Sequence, residues 1–145
     1  MVHRQESEAK TIAAPAGRIF DLLADPAQHA LIDGSGTVRG SRGQANRRLS
    51  LGAKFGMDMK MGVPYRISNT VVEFDENRLI AWRHFGGHRW RWELTPVDEH
   101  TTEVRETFDY STAPAGALYP LIGFPERNRK GIHASLERLE KVVTD

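Results

Sequence analysis

Apolar and polar residues alternate strictly through the middle of the chain. Every second residue from Leu49 to Met61 is apolar, and the residues between them are polar or glycine. A period of two is typical of a strand with one buried face, so the pattern predicts one long strand over 48–61. Most strands run about five or six residues, and a strand as long as this one cannot stay flat around a small core. It must twist and curl, and Gly52 and Gly56 are the predicted bend points.

Periodicity and turn residues predict the other elements. Pro15 and Pro26 each suit the first turn of a short helix, and the apolar residues that follow them give each helix a buried face. A final helix of about 19 residues, about 28 Å long, begins at Pro125 and carries the apolar stripe Ile132, Leu136, Leu139 and Val143. The predicted strands are an edge strand over 3–13, one beginning at 37–39, one over 65–74 after a break at 62–64, and three over 79–85, 88–94 and 101–111. This order predicts a single α+β domain over 1–145, with the last helix on one face of an antiparallel sheet.

The Gly86-Gly87 pair decides the register of the later strands. If Gly87 is left-handed in a three-residue loop, His84 lies opposite His88 and Trp82 opposite Trp90. A two-residue turn would split the tryptophans between the two faces, so we prefer the first register. The same pairing, with Thr70 opposite Trp82, predicts an inner face of Val72, Ile80, Trp82, His84, His88, Trp90, Trp92, Leu94, Val104, Glu106, Phe108 and Tyr110. The residues predicted to face solvent are Arg83, Arg89, Arg91, Glu93, Glu103, Arg105 and Asp109.

Glu106 is the exceptional residue on this face. Val104 and Phe108 flank it along the strand and Trp92 is expected opposite, so the carboxylate needs a compensating environment. Three hypotheses stay open. Desolvation keeps the carboxyl group neutral, a cation or a hydrogen-bonding network pairs with it, or it faces a water-filled cavity. His84 and His88, beside the glycine turn at the sheet end, are expected to be an exposed pair.

Composition excludes several classes of protein. The 145 residues contain no cysteine and carry a net charge of +1, so we expect neither disulfides nor nucleic-acid binding. No apolar run reaches the roughly 18 residues that a membrane span needs, and the polar N-terminus is not signal-like, which predicts a cytoplasmic protein. The histidines are dispersed, and no HExxH motif, Ser/His/Asp arrangement or phosphate loop is present. We therefore expect no metal and no cofactor.

Three stretches and the closing helix resemble the SRPBCC (START/Bet v 1-like, helix-grip) superfamily, especially small bacterial polyketide cyclase/dehydrase-like proteins. These stretches are Thr11–Pro26, Val71–Arg83 and Thr102–Tyr110. The resemblance implies a seven-stranded antiparallel sheet that grips the C-terminal helix around a deep cavity. It also implies binding of lipids, polyketides or other hydrophobic molecules, with enzymes among the members. The superfamily has no shared catalytic signature, so no residue becomes catalytic by analogy.

Three functions are compatible with these patterns. The first is binding or transport of a hydrophobic small molecule by a monomer or weak homodimer, with the segment 112–124 as a lid. The second is a cyclase or dehydratase in which Glu106 is the general acid or base, assisted by Tyr110 and His84. The third is a protein-interaction module that uses the basic residues Arg39, Arg42, Arg47, Arg48, Arg127, Arg129 and Lys130. The expected cavity lining is Phe55, Met57, Met59, Thr70, Val72, Trp82, Trp90, Trp92, Glu106, Phe108, Tyr110, Ile132, Ser135 and Leu136.

Overall fold

One antiparallel sheet and a C-terminal helix dominate the computed structural model, which describes residues 5–32, 38–42, 48–61, 63–84, 87–113 and 124–144. The strands are Gln5–Ile12 (β1), Val38–Arg42 (β2), Lys54–Met61 (β3), Val63–Asp75 (β4), Leu79–His84 (β5), Arg89–Asp98 (β6) and Thr101–Asp109 (β7). The helices are Ala16–Leu23 (α1), His29–Ile32 (α2) and Phe124–Thr144 (α3), with a 3-10 turn at Pro26–Gln28. The order across the sheet is β1-β7-β6-β5-β4-β3-β2. The predicted α+β class, the edge position of the first strand and the closing helix are confirmed.

The second predicted helix is shorter than the sequence indicated. Pro26 opens a 3-10 turn, in which the Gln28 N–H donates to the Asp25 carbonyl at 3.0 Å. An i to i+3 bond winds the chain more tightly than an α-helix does. The α-helical part therefore begins only at His29.

The long strand predicted over 48–61 begins only at Lys54. Gly52 adopts a left-handed φ of +83°, which ends the extended conformation, and Leu51 is 66% exposed. Leu49 is nevertheless buried, and its N–H donates to the Ala24 carbonyl at 2.7 Å. The alternating apolar residues before Lys54 therefore belong to a turn that packs against the end of α1, not to a strand. Apolar residues can alternate in an irregular segment too, so the pattern alone did not distinguish the two.

The predicted break at 62–64 is also wrong in part. The register pairs Met61 with Val63 and Lys60 with Pro64, so β4 already includes the proline. Proline lacks an N–H and is tolerated where a strand has no ladder partner on that side. The described pairing of β4 with β5 begins only at Asn69, which leaves Pro64 outside that ladder.

The predicted register of β5, β6 and β7 is confirmed. Trp82 pairs with Trp90, and Trp92 pairs with both Ile80 and Glu106. Gly87 has a φ of +96° and its N–H donates to the His84 carbonyl at 2.9 Å. The left-handed glycine thus gives the turn that places the tryptophans on one face.

The predicted register between β4 and β5 is wrong. The ladder shifts between Val71 and Glu73, and it pairs Val71 with Trp82 and Thr70 with Arg83. A bulge adds one residue to one strand, so the facing of the side chains changes beyond it. Asn69 and Val71 are therefore the residues that share the inner face with Trp82, in place of Thr70 and Val72.

Asp109 lies on the outer face but is buried, contrary to the prediction that it faces solvent. Gln5 donates to its carboxylate at 3.1 Å, and Arg91 lies 3.6 Å from it. Arg91 also bonds Glu73 at 2.8 Å. Burial by itself raises the pKa of Asp109, but hydrogen bonds from Ser111 and Gln5 and the charge of Arg91 hold it below its ordinary value. The outer face therefore carries an ordered charge network between strands.

Helix α3 covers the inner face along β1 and β7. The predicted stripe is confirmed, since each of its four residues is at most 2% exposed: Ile132, Leu136, Leu139 and Val143. His133 contacts Glu8 at 3.1 Å and Glu140 contacts Lys10 at 3.4 Å. These two contacts show that α3 runs in the same direction as β1.

Replacing a stripe residue tests this packing. We expect Leu139→Ala to lower the free energy of unfolding by about 2–5 kcal/mol, because it removes buried methyl groups and leaves a cavity. Leu51→Ala, at a position 66% exposed, is the matched control and should change it by less than about 0.5 kcal/mol. Urea unfolding measures both; equal losses would contradict the packing described here.

Candidate functional site

The inner face is built from three rows of side chains that cross the sheet. The first, here the Trp92 row, joins Phe74, Ile80, Trp92 and Glu106. The second, the Trp90 row, joins Val71, Trp82, Trp90 and Phe108. The third, the Asn69 row, joins Phe55, Asn69, His84 and His88 at the end of the sheet. Most of the predicted lining thus lies on one face, with polar groups in the outer two rows.

Trp82 belongs to the packed part of this face. The ring of His29 stacks on it with centroids 4.8 Å apart, and Phe55 meets its edge at 5.5 Å. His29 Nε2 lies 2.9 Å from the Leu23 carbonyl. A carbonyl only accepts, so Nε2 carries the proton. His29 could not be found from the sequence, because a histidine in a one-turn helix has no pattern that separates it from a surface residue.

Trp90 has a different environment from Trp82. It is only half-buried, and its ring packs on Phe108 at 4.9 Å. Phe108 in turn stacks on Tyr110 at 5.5 Å, and both of these residues are buried. The Trp90 side of the face therefore carries a run of aromatic rings with part of its surface still accessible.

Glu106 is 6% exposed in the Trp92 row. It pairs with Trp92 on one side and with Glu8 of β1 on the other. Like charges directly opposite each other destabilise a sheet, and Glu8 contacts His133 of α3 at 3.1 Å. A carboxyl group is thus held inside the domain beside an indole ring and a second acid.

The prediction that His84 and His88 are an exposed pair is wrong. Their rings stack with centroids 4.5 Å apart, and His88 is only 5% exposed. Burial, and secondarily the charge of His84, lowers the pKa of His88 to about 3. Burial also lowers the pKa of His84. Both rings are therefore neutral near pH 7.

Four of the buried side-chain atoms without a hydrogen-bond partner in the part of the chain that the structure describes concern the candidate site. They are both amide atoms of Asn69, the indole Nε1 of Trp92 and the amide Nδ2 of Asn128. The pattern of the sequence does not place Asn69 on the inner face, because the bulge in β4 changes the facing of this part of the strand. Asn128 could have been found, since it lies four residues before Ile132 and extends the buried stripe of α3.

The remaining predicted lining residues have mixed positions. Phe55, Ile132, Ser135 and Leu136 are buried, and the last three lie on the covered face of α3. Thr70 and Val72 are half-buried and lie off the inner row. The side chains of Met57 and Met59, and the predicted lid except for 112–113 and Phe124, lie outside the described residues.

The predicted basic surface is partly engaged within the chain. Arg48 bonds Asp21 at 2.9 Å and Glu76 at 2.6 Å, and its guanidinium lies 5.5 Å from the Phe20 ring. Arg127, Arg129 and Lys130 are exposed on α3, and the side chains of Arg39, Arg42 and Arg47 lie outside the described residues. Arg48 therefore already pairs with two acidic residues of this chain, which makes it less suited to bind an acidic partner protein.

Two further features are absent from the described ranges. These ranges contain no group of three or more His, Asp or Glu side chains that could hold a metal ion. None of their helices is long and apolar enough to cross a membrane.

Comparison with known proteins identifies the family. The sequence model of the family described as "Polyketide cyclase / dehydrase and lipid transport" matches residues 4–144. The chain belongs to this family. Among curated relatives, the "Uncharacterized protein Rv0088" of Mycobacterium tuberculosis strain H37Rv is 43% identical over 140 residues. That match covers 92% of this chain and 61% of the relative, so the chain spans only part of the relative's length.

Solved structures share the fold of this polyketide cyclase/dehydrase-like domain. A protein from Arthrobacter aurescens has a TM-score of 0.75 at 14% identity, over 97% of this chain and 86% of that one. Protein Ms6760 from Mycobacterium smegmatis has a TM-score of 0.71 at 18% identity, over 97% and 91%. The Aha1 dimer from Colwellia psychrerythraea has a TM-score of 0.67 at 16% identity, over 99% and 96%. At these identities the likeness concerns the fold alone.

The buried histidine predicts a pH-dependent stability. The unfolded chain protonates His88 near its ordinary pKa of 6.5, whereas the folded domain does so only near 3. Protons therefore favour the unfolded state, and stability falls as the pH drops below about 6.5. Between pH 7 and pH 5 we expect a loss of about 2 kcal/mol from this residue.

Urea unfolding at pH 7, 6 and 5 measures this loss. The variant His88→Phe keeps a ring against Phe108 and removes the titrating group, so its stability should fall less. His100→Gln, in the exposed turn between β6 and β7, is the control and should keep the parent's slope. An unchanged slope in His88→Phe would show that His88 is not the titrating group.

Proposed function

We propose that this domain binds a hydrophobic small molecule between the inner face of its sheet and helix α3. The family description, which names polyketide cyclases, dehydrases and lipid transport, supports a ligand-binding role. The ligand is largely apolar, because aromatic rings line the middle of the face. Across β4 to β7 the Trp90 row is apolar or aromatic, and polar side chains lie in the Trp92 and Asn69 rows on either side of it.

The observation that carries this proposal is the set of buried polar atoms on the inner face and on α3. In a packed core about nine-tenths or more of such atoms have a hydrogen-bond partner. Asn69, Trp92 and Asn128 keep atoms without one among the described residues. Ligand sites have this composition, since they combine an apolar lining with a few polar groups that fix orientation.

The two tryptophans of the Trp90 row supply a sharp test. Trp90 is half-buried and offers surface to a ligand, whereas His29 and Phe55 already cover Trp82. We expect Trp90→Leu to weaken binding of a neutral aromatic probe such as naphthalene by about tenfold, since part of the aromatic contact is lost. Trp82→Leu should lower the free energy of unfolding by about 1–3 kcal/mol and leave the affinity nearly unchanged.

Titration of each variant with the probe, followed by tryptophan fluorescence, measures the affinities. A saturating probe at about a hundredfold its dissociation constant should stabilise the parent protein by about 2.7 kcal/mol. If a panel of lipids and aromatic compounds stabilises nothing, the binding function is wrong. If both variants weaken binding equally, Trp90 has no special part in it.

A second candidate function rests on Glu106. Its carboxyl group is buried beside the Trp92 indole, and a carboxylate in an apolar site can take a proton from a carbon next to a carbonyl group. Tyr110 is two rows away along the same face, and its hydroxyl would have to reach the carbonyl oxygen of the same molecule. We propose this acid–base role as an addition to binding, not as a replacement for it.

Hydrogen–deuterium exchange of 2-tetralone, an apolar aromatic ketone, tests this role. We expect the protein to accelerate loss of the protons next to the carbonyl, and Glu106→Gln to reduce that acceleration by about a hundredfold or more. Glu103→Gln, exposed on the same strand, is the matched control and should keep the full rate. Proton NMR in deuterated buffer follows the exchange; retained acceleration in Glu106→Gln would exclude the proposed base.

A further inference from the structure

Asn69 is a buried amide whose hydrogen-bonding capacity is unused within the described residues. It is 2% exposed, and it lies between Phe55 and His84 across the strands. Neither its Nδ2 nor its Oδ1 has a hydrogen-bond partner in this part of the chain. An amide supplies two donors and a carbonyl acceptor. It is therefore suited to a group that both donates and accepts.

The surroundings of Asn69 disfavour a negatively charged group. His84 and His88 in the same row are neutral, because burial lowers the pKa of each. The other titratable side chains on the inner face of the sheet within the described residues are Glu6, Glu8, Lys10, Glu106 and Tyr110. His29 of α2 packs over the same face against Phe55 and Trp82, and its Nε2 donates to the Leu23 carbonyl. Lys10 pairs with Glu140 at 3.4 Å near the far end of the sheet. Among the described residues no lysine or arginine lies in the Asn69 row, so an anion at Asn69 would lose its hydration without such a cation in that row to pair with.

Helix α3 presents a second unused amide toward the same end of the sheet. Because α3 runs in the same direction as β1, residues before His133 lie toward the end that carries the Asn69 row. Asn128, five positions earlier, is 8% exposed, and its Nδ2 has no hydrogen-bond partner among the described residues. The sheet and the helix thus each bring an uncharged polar group to this end.

We propose that the Asn69 end of the inner face receives an uncharged hydrogen-bonding group, such as a phenol hydroxyl or a carboxamide, on an otherwise apolar aromatic ligand. This inference rests on the proposed binding function and deepens it by naming the ligand class. Asn69 is the residue that selects such a group, and the half-buried Trp90 contacts the apolar body. Carboxylates and phosphates are discriminated against.

Three probes of one ring system test the selection: naphthalene, 2-naphthol and 2-naphthoate. We expect the parent protein to bind 2-naphthol about tenfold more tightly than naphthalene, the gain of a net hydrogen bond in a buried site. It should bind 2-naphthoate no more tightly than naphthalene. Leucine has the same branched skeleton of side-chain heavy atoms as asparagine but no polar atom, so in Asn69→Leu the preference for 2-naphthol should fall to about twofold or less. Ser68→Ala, exposed next to it, should keep the preference.

The outcomes separate this inference from the function on which it depends. If neither naphthalene nor 2-naphthol binds although another compound of the lipid and aromatic panel does, the proposed ligand class is wrong. If nothing in that panel binds either, the binding function is wrong and the selection falls with it. If both bind equally, or if Asn69→Leu keeps the preference, the selection alone is wrong. Tighter binding of 2-naphthoate than of 2-naphthol would also overturn it.

The melting temperature of Asn69→Leu without ligand gives a further readout. Replacing an unpartnered buried amide by an apolar group of similar shape should not lower it. If the variant does not fold, the parent protein still decides through the side-chain amide resonances of Asn69 in nitrogen-15 NMR. These should shift with 2-naphthol and stay in place with naphthalene. If both probes bind and neither moves the resonances, Asn69 does not contact the ligand.

Discussion

The register of β5, β6 and β7 is the constraint on which the inner face depends. Side chains alternate between the faces along each strand, so one pairing decides the facing of all three strands. The left-handed Gly87 permits the turn that sets Trp82 opposite Trp90. A slip by one residue would point Glu106 and the tryptophans outward and turn Arg91 to the inner face, away from Glu73 and Asp109. A buried arginine without a partner would then cost more than the helix contacts could offset.

The meander could be predicted from the sequence, whereas the bulge in β4 could not. Along β5 to β7 the alternation is uninterrupted and the glycine turn admits one register that keeps the aromatic residues together. In β4, Val71 and Val72 are both apolar and β-branched, and Asn69 and Thr70 are both polar. Either facing satisfies the same pattern, so nothing in the sequence favours Asn69 over Thr70 as the inward residue. The pairing of Val71 with Trp82 in the structure shows which of the two facings β4 adopts.

Burial of charged and titratable groups was the other property that the pattern could not predict. Alternation correctly put Asp109 on the outer face, but it did not show that Arg91, Gln5 and Ser111 would enclose it. His88 was correctly put on the inner face, but its stacking against His84 and Phe108 makes it buried. The face to which a side chain points is set by its own strand. Its burial depends on the side chains that neighbouring strands and turns pack over it.

The two polar rows of the inner face are too far apart for a small ligand to contact both. Asn69 and Glu106 lie three strands apart, roughly 14 Å across the sheet, and four residues apart along it, roughly 13 Å. A molecule of two fused rings cannot cover that distance. Selection at Asn69 and acid–base chemistry at Glu106 are therefore independent properties for small ligands. They become coupled only for an extended ligand, whose uncharged end at Asn69 would fix which of its carbon atoms lies beside Glu106.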